Sequence, residues 1–303
     1  MTEGSNQRQV NDLAVIPVRS FDFAFPEDLD PLWIPLAPYR AHFYNGVSLT
    51  MPYLEPFLCK TMREAQQLVE DEQLLEDMKG FIGQEAQHYR CHRRLNERLT
   101  LNGHPQFSII EARISVAYER LSKRSLRTRL AYSAGFECMT NGFTNWILGD
   151  RKALFENAQA DVASFWIAHM AEECEHKTVA FDVYEHLYGS YWVRALGVVH
   201  GSFHVLGLGC IGMTSALHRD QKGSQLQRLA GTLRQLGAVA GKVGPFLLRA
   251  LHPRYNPRQE NEPEWLDDWI AYNAQLGNLG PMPVIDTTSE DMSLPSHLTQ
   301  PAR

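Results

Sequence analysis

Apolar residues recur every three or four positions from about residue 39 to about residue 187. This spacing predicts amphipathic α-helices, because residues three and four apart share one helix face. Three of the helices end close to Gly103, Gly149 and Gly189, a residue type that favours a helix stop. No run of alternating β-branched residues predicts a strand. The sequence therefore predicts an all-α fold, with helices over about residues 40–69, 71–100, 108–122, 125–148 and 158–188.

Polar residues interrupt the apolar face of two of these helices. In the stretch FIGQEAQHYRCHRRLNERL, the inward positions include Glu85, His88 and His92. In FWIAHMAEECEHKTVAFDVYEHL, they include His169 together with the pair Glu173 and His176. Each stretch holds a Glu-x-x-His pair, which places a carboxylate and an imidazole on one helix face. Burying such groups without a partner costs several kcal/mol, so the pattern predicts an internal partner for them.

Two further helices each carry one Glu within an apolar face, at Glu55 and Glu137. Glu55 and Glu85 are 30 residues apart, so a hairpin that turns near Glu70 brings both to one level, ~22 Å from the turn. The same argument pairs Glu137 with Glu173 around Phe155. A long crossover with its own helix separates the two hairpins. The sequence thus predicts a ferritin-like four-helix bundle with one long crossover and additional C-terminal helices.

Four buried carboxylates would balance the charge of two divalent cations. The predicted ligands of this dinuclear centre are Glu55, Glu85, His88, Glu137, Glu173 and His176. Carboxylate and imidazole donors favour iron, with manganese or zinc as alternatives.

Three neighbouring residues leave alternatives open. His92 and His169 each lie one turn from a predicted ligand, and either could hydrogen-bond the ligands from behind, relay protons or add a ligand. Glu172 competes with Glu173, because it is spaced i, i+4 from His176. We expect Glu173 to be the ligand, since the Glu-x-x-His spacing then occurs twice. The sequence assigns no catalytic residue.

Several stretches resemble a bacterial family of predicted metal-dependent hydrolases. They are VRSFDFAFPEDLDPLW, MPYLEPFLCKTMR, FIGQEAQHYRCHRRLNERL and EECEHKTVAFDVY, and the resemblance spans roughly residues 15 to 260. It implies a ferritin-like fold in which the Glu and Glu-x-x-His residues bind metal. The sequence AGFECMTNGF around Glu137 departs from the family pattern, so we expect the pocket beside it to differ.

Two carboxylate-bridged metals support more than one chemistry. The primary expectation is O2-dependent oxidation of a small apolar or amphipathic substrate by a di-iron site fed by a separate electron donor. This expectation rests on analogy with the ferritin-like fold. The alternative is hydrolysis by a water that two metals activate. A further alternative is iron binding and storage.

Composition narrows the setting. The net charge of −6 and the lack of a basic stripe give no reason to expect a nucleic-acid partner. The five scattered cysteines and the polar N-terminus, without the apolar core of a signal peptide, predict a cytoplasmic location.

The motif GLGCIG at Gly207–Gly212 lies in an apolar helical run without a preceding strand. It predicts close helix packing rather than a dinucleotide site, and no organic cofactor is expected.

Four parts are expected along the chain: an N-terminal arm over 1–38, the bundle over 39–190, a helical extension over 191–277 and a disordered tail over 278–303. The extension is first apolar and then basic and amphipathic. Residues 195–217 contain no charged side chain and are long enough to span a bilayer. We expect this segment to pack against the bundle, with peripheral membrane contact through 191–251 and a homodimer as open alternatives.

Overall fold

A computed structural model describes residues 15–221, 223–278 and 280–295. All regular secondary structure within these ranges is helical, which confirms the all-α prediction. The α-helices are α1 (Pro38–Ser48), α2 (Met51–Ala65), α3 (Glu72–Leu101), α4 (Phe107–Ser122), α5 (Leu126–Gly149), α6 (Arg151–Phe155), α7 (Ala160–His176), α8 (Val179–Leu187), α9 (Tyr191–Asp220), α10 (Gln225–Ala250) and α11 (Trp265–Leu276).

Two predicted helices are each divided in the structure. The first becomes α1 and α2, with a break at Leu49 and Thr50 just before Pro52. Proline lacks an amide hydrogen, so Pro52 is tolerated in the first turn of α2, where that hydrogen would have no helical partner. Pro56 lies inside the same helix without ending it. The second becomes α7 and α8, which break at Lys177 and Thr178 directly after His176.

Four helices supply the polar residues predicted to lie inside. Helix α2 packs against α3, and α5 packs against both α7 and α8. Asp71 caps α3 by accepting a hydrogen bond from the Leu74 amide, and Ser125 caps α5 in the same way. Both caps satisfy amide groups that a helix start leaves unpaired. Helix α4 lies in the crossover between these two pairs, and α6 lies in the connection from α5 to α7.

Glycines let α9 approach α5 and α1 at backbone contact. A Cβ atom on Gly197 would collide with the carbonyl group of Ala131, and one on Gly135 would collide with the backbone of Gly197. Gly209 and Gly212 face α1 in the same way, as predicted from the glycine motif. Gly207 differs, because no described atom lies within 4 Å of its Cβ position. Helix α9 therefore packs with one side only.

Helix α9 is the one described helix that is long and apolar enough to cross a membrane by length and composition. Of its most apolar window, 44% is buried inside the protein. This burial fits the prediction that the segment packs against the other helices. The expected cytoplasmic location stays a prediction.

The segment predicted to be a disordered tail differs from that prediction over residues 280–295. The Ile285 amide donates to the Ser164 hydroxyl, and the Thr287 hydroxyl donates to the Ala158 carbonyl. Ile285 and Met292 are almost fully buried in the main core. A few apolar residues therefore anchor a segment whose overall composition is polar. Residues 296–303 lie outside the described ranges.

Candidate metal centre

All six predicted ligands lie close together inside the protein. Glu55 comes from α2, Glu85 and His88 from α3, Glu137 from α5, and Glu173 and His176 from α7. None of them is more than 2% exposed. Their helical spacing turns each pair toward the centre of the four helices.

Four of these residues surround one position. Glu85, Glu137, Glu173 and His176 each offer one ligand atom, and these atoms lie within 4.8 Å of one another. The Nε2 atom of His176 lies 3.3 Å from Glu173 Oε2, 3.5 Å from Glu85 Oε1 and 3.9 Å from Glu137 Oε2. Donor atoms at such separations can share one ion at about 2 Å from each.

A second position lies on the other side of Glu173. His92 Nε2 and His169 Nε2 lie 3.7 Å and 3.8 Å from Glu55 Oε1. Glu173 Oε1 lies 2.9 Å from His169 Nε2 and 3.9 Å from His88 Nδ1. Glu173 therefore directs one carboxylate oxygen toward each position, the arrangement that a bridging ligand requires.

Gln84 determines which ring nitrogen of His176 donates a hydrogen bond. The Gln84 amide nitrogen donates to the Pro17 carbonyl at 2.9 Å and to Glu175 at 2.7 Å. Its oxygen is therefore left to accept a hydrogen bond from His176 Nδ1, at 2.8 Å. With the proton on Nδ1, the Nε2 lone pair of His176 faces the carboxylates, as a metal ligand must.

Ser48 acts on His92 in the same way. The Ser48 hydroxyl donates to Asn96 Oδ1 at 2.6 Å, while the Asn96 amide nitrogen donates back to the Ser48 carbonyl. The Ser48 oxygen then accepts from His92 Nδ1 at 2.8 Å. The Nε2 lone pair of His92 then accepts a hydrogen bond from His169 Nδ1 at 3.1 Å, and Glu55 Oε1 lies 3.7 Å away.

His88 is oriented by a carboxylate. Its Nε2 atom donates to Glu172 Oε2 at 2.8 Å, and Arg19 binds the other oxygen of Glu172 at 3.0 Å. The proton on Nε2 leaves Nδ1 as a lone pair toward Glu173. This atom is buried and has no hydrogen-bond partner among the described residues. Glu172 thus orients a predicted ligand, whereas Glu173 lies in the centre.

The carboxylates of the centre are short of partners. Within the part of the chain that the structure describes, both oxygens of Glu55, both of Glu85 and Oε1 of Glu137 are buried without a hydrogen bond. Burial, reinforced by repulsion from Glu173, raises the pKa of all three groups well above the ordinary value. Buried carboxylates of this kind need protons or cations. Together with the lone pairs of His88 and His176, they fit divalent metal ions.

The pKa values of Glu173, His88 and His92 are lowered, in contrast to those of the other three carboxyl groups. Burial raises the pKa of Glu173, but His176 and His169 together outweigh it and hold this pKa well below the ordinary value. Burial lowers the pKa of His88 and His92, and nearby His169 lowers both further. Neutral imidazoles beside an ionised carboxylate are the protonation states that metal binding requires.

The residues that hydrogen-bond the neighbours of the predicted ligands were not identified from the sequence. Arg19 binds both oxygens of Glu175, and Trp269 donates to the same carboxylate. Gln84 and Glu175 neighbour predicted ligands in sequence, so the interrupted apolar faces could have indicated them. Arg19 gave no such signal, because it lies in the irregular N-terminal arm.

An apolar cavity of about 40 Å³ adjoins the centre. His169 and Glu173 form part of its wall, and the rest is mostly aromatic, methionine and aliphatic side chains from α1, α5, α7 and α9. The volume suffices for a few waters. A larger apolar group enters only when flexible side chains such as Met139 and Met170 move.

A separate group at the end of α9 is explained without a metal. Asp220 lies 2.8 Å from His42 Nε2 and 3.5 Å from His104 Nε2. The Asn45 amide nitrogen faces His42 Nδ1 at 3.4 Å, so this Nδ1 accepts and Nε2 carries the proton. A protonated Nε2 donates to Asp220 and cannot ligate an ion. The group ties α9 to α1 and to the loop after α3.

The structure thus shows an all-α protein with a buried cluster of carboxylates and imidazoles that is a candidate metal site. Residues 17–261 match the family described as predicted metal-dependent hydrolase. The chain belongs to that family, which confirms the predicted resemblance and indicates a metal-dependent enzyme. Comparison with curated proteins and with solved structures found no match.

Proposed function

We propose that the four helices α2, α3, α5 and α7 form a ferritin-like bundle around two divalent metal ions. Glu85, Glu137 and His176 would hold one ion, Glu55 and His88 the other, and Glu173 would bridge them. The oriented histidine lone pairs and the unpartnered carboxylate oxygens support this assignment. The donor set suits iron or manganese, with zinc as a third option.

We propose further that the protein hydrolyses a substrate with an apolar chain. The observation that carries this proposal is the cavity: its wall is apolar except near His169 and Glu173, where it meets the centre. A substrate whose apolar part fills the cavity would therefore place its reacting group at the centre. Membership in the predicted metal-dependent hydrolase family supports hydrolysis over oxidation.

A pair of divalent metals supplies an activated water and polarises the bond to be cleaved. The chain's own residues would position and exchange the proton. His169 lies 2.9 Å from Glu173 and 3.1 Å from His92, and it is the one histidine among the described residues that line the cavity. We assign it the role of accepting a proton from water and passing it to the leaving group. The apolar walls would exclude competing water.

The test measures cleavage of esters and amides of increasing acyl length by protein loaded with Fe(II), Mn(II) or Zn(II). Hydrolysis that needs metal, proceeds equally under argon and in air, and improves with chain length would support the proposal. Loss of metal content with unchanged activity would contradict it. The control is the Glu85→Gln variant, which should lose both metal and activity.

The second candidate is the O2-dependent oxidation predicted from the sequence. Its supporting observation is the depth of the centre, whose carboxylates are at most 2% exposed beside an apolar cavity. A small apolar molecule such as O2 reaches such a site readily. Rapid mixing of anaerobic Fe(II)-loaded protein with air would show consumption of O2 at two irons per chain. That result, with no hydrolysis, would favour an oxidase that requires an electron donor.

A further inference from the structure

Helix α9 carries an apolar stripe on its outer side, interrupted by Gly207. Its members, which we call the α9 stripe, are 42–75% exposed. Four of the five share one helix face, opposite the glycines that contact α5 and α1, and Ile211 lies at the edge of this face. The stripe runs for 20 residues, about 29 Å along the helix axis. It consists of Trp192, Leu196, Val199, Phe203 and Ile211.

The surroundings of the stripe are basic, although the protein as a whole is acidic. Residues 191–250 contain seven Lys and Arg residues and one acidic residue, Asp220, whereas the full chain has 29 basic and 35 acidic residues. Three of the seven add little to a surface field, because Arg194 is buried and Lys242 and Arg249 pair with carboxylates. The turn between α4 and α5 adds exposed Lys123 and Arg124. Burial lowers the pKa of His200 in α9, and the charge of Arg124 lowers it further. A large apolar patch within a positive field marks an interaction surface.

Charge selects among the possible occupants of this surface. A second copy of the chain would bring two basic surfaces together, which is unfavourable. A bilayer-spanning α9 would have to give up its backbone contacts with α5 and α1. An anionic lipid surface complements both the apolar stripe and the positive charge around it. We infer that α9 docks the protein on the surface of an anionic membrane, with the α9 stripe in the lipid boundary.

The opposite side of α9 reaches the metal centre's cavity. Val205 and Leu206 line that cavity, between the exposed positions Phe203 and Ile211. One helix therefore separates the docking surface from the cavity. This step rests on the proposed function: the hydrolysed substrate would be an amphiphile whose apolar chain comes from the bilayer.

Docking can be followed through Trp192. The chain has six tryptophans, and the other five are at most 7% exposed. Metal-loaded full-length protein would be titrated with vesicles of phosphatidylcholine alone or with about one third phosphatidylserine. We expect a blue shift of tryptophan emission and co-sedimentation with the anionic vesicles only, both weakened by about 0.5 M NaCl. The Trp192→Phe variant should lose the blue shift and keep most of the binding.

Variants identify the docking surface. Leu196→Gln and Phe203→Gln should each weaken vesicle binding about tenfold, because each removes an apolar side chain from the lipid boundary. Leu68→Gln, at an equally exposed apolar position in the turn after α2, should not change it. Circular dichroism and thermal unfolding would check that all three variants fold.

Three outcomes would overturn the inference. They are equal binding to neutral and anionic vesicles, equal effects of Leu196→Gln and Leu68→Gln, or a dimer in sedimentation velocity that Leu196→Gln dissociates. The last would assign the stripe to a second copy of the chain. Vesicle binding needs no turnover, so docking with no hydrolase activity would leave this inference standing while the proposed function fails.

Discussion

Arg19 connects the N-terminal arm to both halves of the metal centre. Through Glu172 it orients His88, and through Glu175 and Gln84 it orients His176. The guanidinium also lies over the ring of Trp269 from α11. One buried cation thus orients two proposed histidine ligands, and outer contacts of this kind strengthen metal binding.

Replacing Arg19 with Gln should weaken metal binding about 10- to 100-fold, because His88 and His176 lose the charge that holds their partners. Arg19→Lys should fall between, since an ammonium cannot bind a carboxylate with two parallel hydrogen bonds. Competition with a metal chelator measures the affinity. The matched control is Arg94→Gln, which also binds the arm but through an exposed pair with Asp22. An equal loss in both variants would contradict this role.

Replacing Glu85 or Glu173 with Ala should abolish stoichiometric metal binding, because each removes a carboxylate from a shared ligand set. Metal content after gel filtration, measured by mass spectrometry, is the readout. Glu64→Ala, an exposed carboxylate on α2 paired with Arg129, is the control. Full metal content in both centre variants would remove the basis of the ligand assignment.

His169→Gln separates metal binding from proton transfer. We expect it to retain two metals and to lower kcat for hydrolysis about 10²- to 10⁴-fold, the usual contribution of a general base. A variant that loses metal in parallel with activity would show that His169 is a ligand instead.

At the scale of helices, glycines decide how closely α9 packs. Gly197 lies against the Ala131 carbonyl, whereas Gly207 lies on the open side of the same helix. A side chain is therefore excluded at Gly197 but has free space at Gly207, ten positions further along the same helix. The breaks at Thr50 and Lys177 act at this scale too, since each ends a helix beside the metal centre.

Gly197→Ala should destabilise the protein by about 1–3 kcal/mol, because the added methyl group forces α9 away from α5. Gly207→Ala should stabilise it by up to about 1 kcal/mol, because alanine favours a helix and meets nothing there. Chemical denaturation of the two variants gives the comparison. The same sign for both changes would show that α9 does not pack on α5 as described.

For the molecule as a whole, the metal ions should determine how stability depends on pH. In the metal-free folded protein, the pKa values of Glu55, Glu85 and Glu137 are raised above 4.5. Above that pH the folded state holds more protons than the unfolded state, so its stability falls as pH rises. The lowered pKa values of His88 and His92 act in the opposite sense, but only below their ordinary value of 6.5.

Between about pH 6.5 and about pH 8.5, metal-free protein should therefore lose up to about 1.4 kcal/mol per pH unit for each carboxyl that keeps its proton. Metal-loaded protein should not lose stability in this way, because its carboxylates are ionised and bound to cations. Thermal unfolding of both forms across this range is the measurement. We expect the difference in melting temperature to widen with pH. A constant difference would show that protons do not replace the metals.

Local spacing was enough to predict the helices that carry Glu55, Glu85, Glu137 and Glu173, because period and charge are properties of short segments. The positions of the turns could also be predicted from the sequence, since capping residues and glycines affect helix ends only a few positions away. The breaks inside two long helices did not follow as clearly. At Lys177 no proline or glycine marks the break.

The sequence by itself determined the all-α class, the four helices that meet at the centre and the carboxylate and histidine types that suit divalent metals. Only the tertiary structure decided which ring nitrogen of His88 and His176 is free, because Glu172 and Gln84 reach these rings from another helix. It also decided that residues 280–295 pack on the core and that one face of α9 stays exposed. Contacts between distant segments depend on the whole fold, and no local pattern records them.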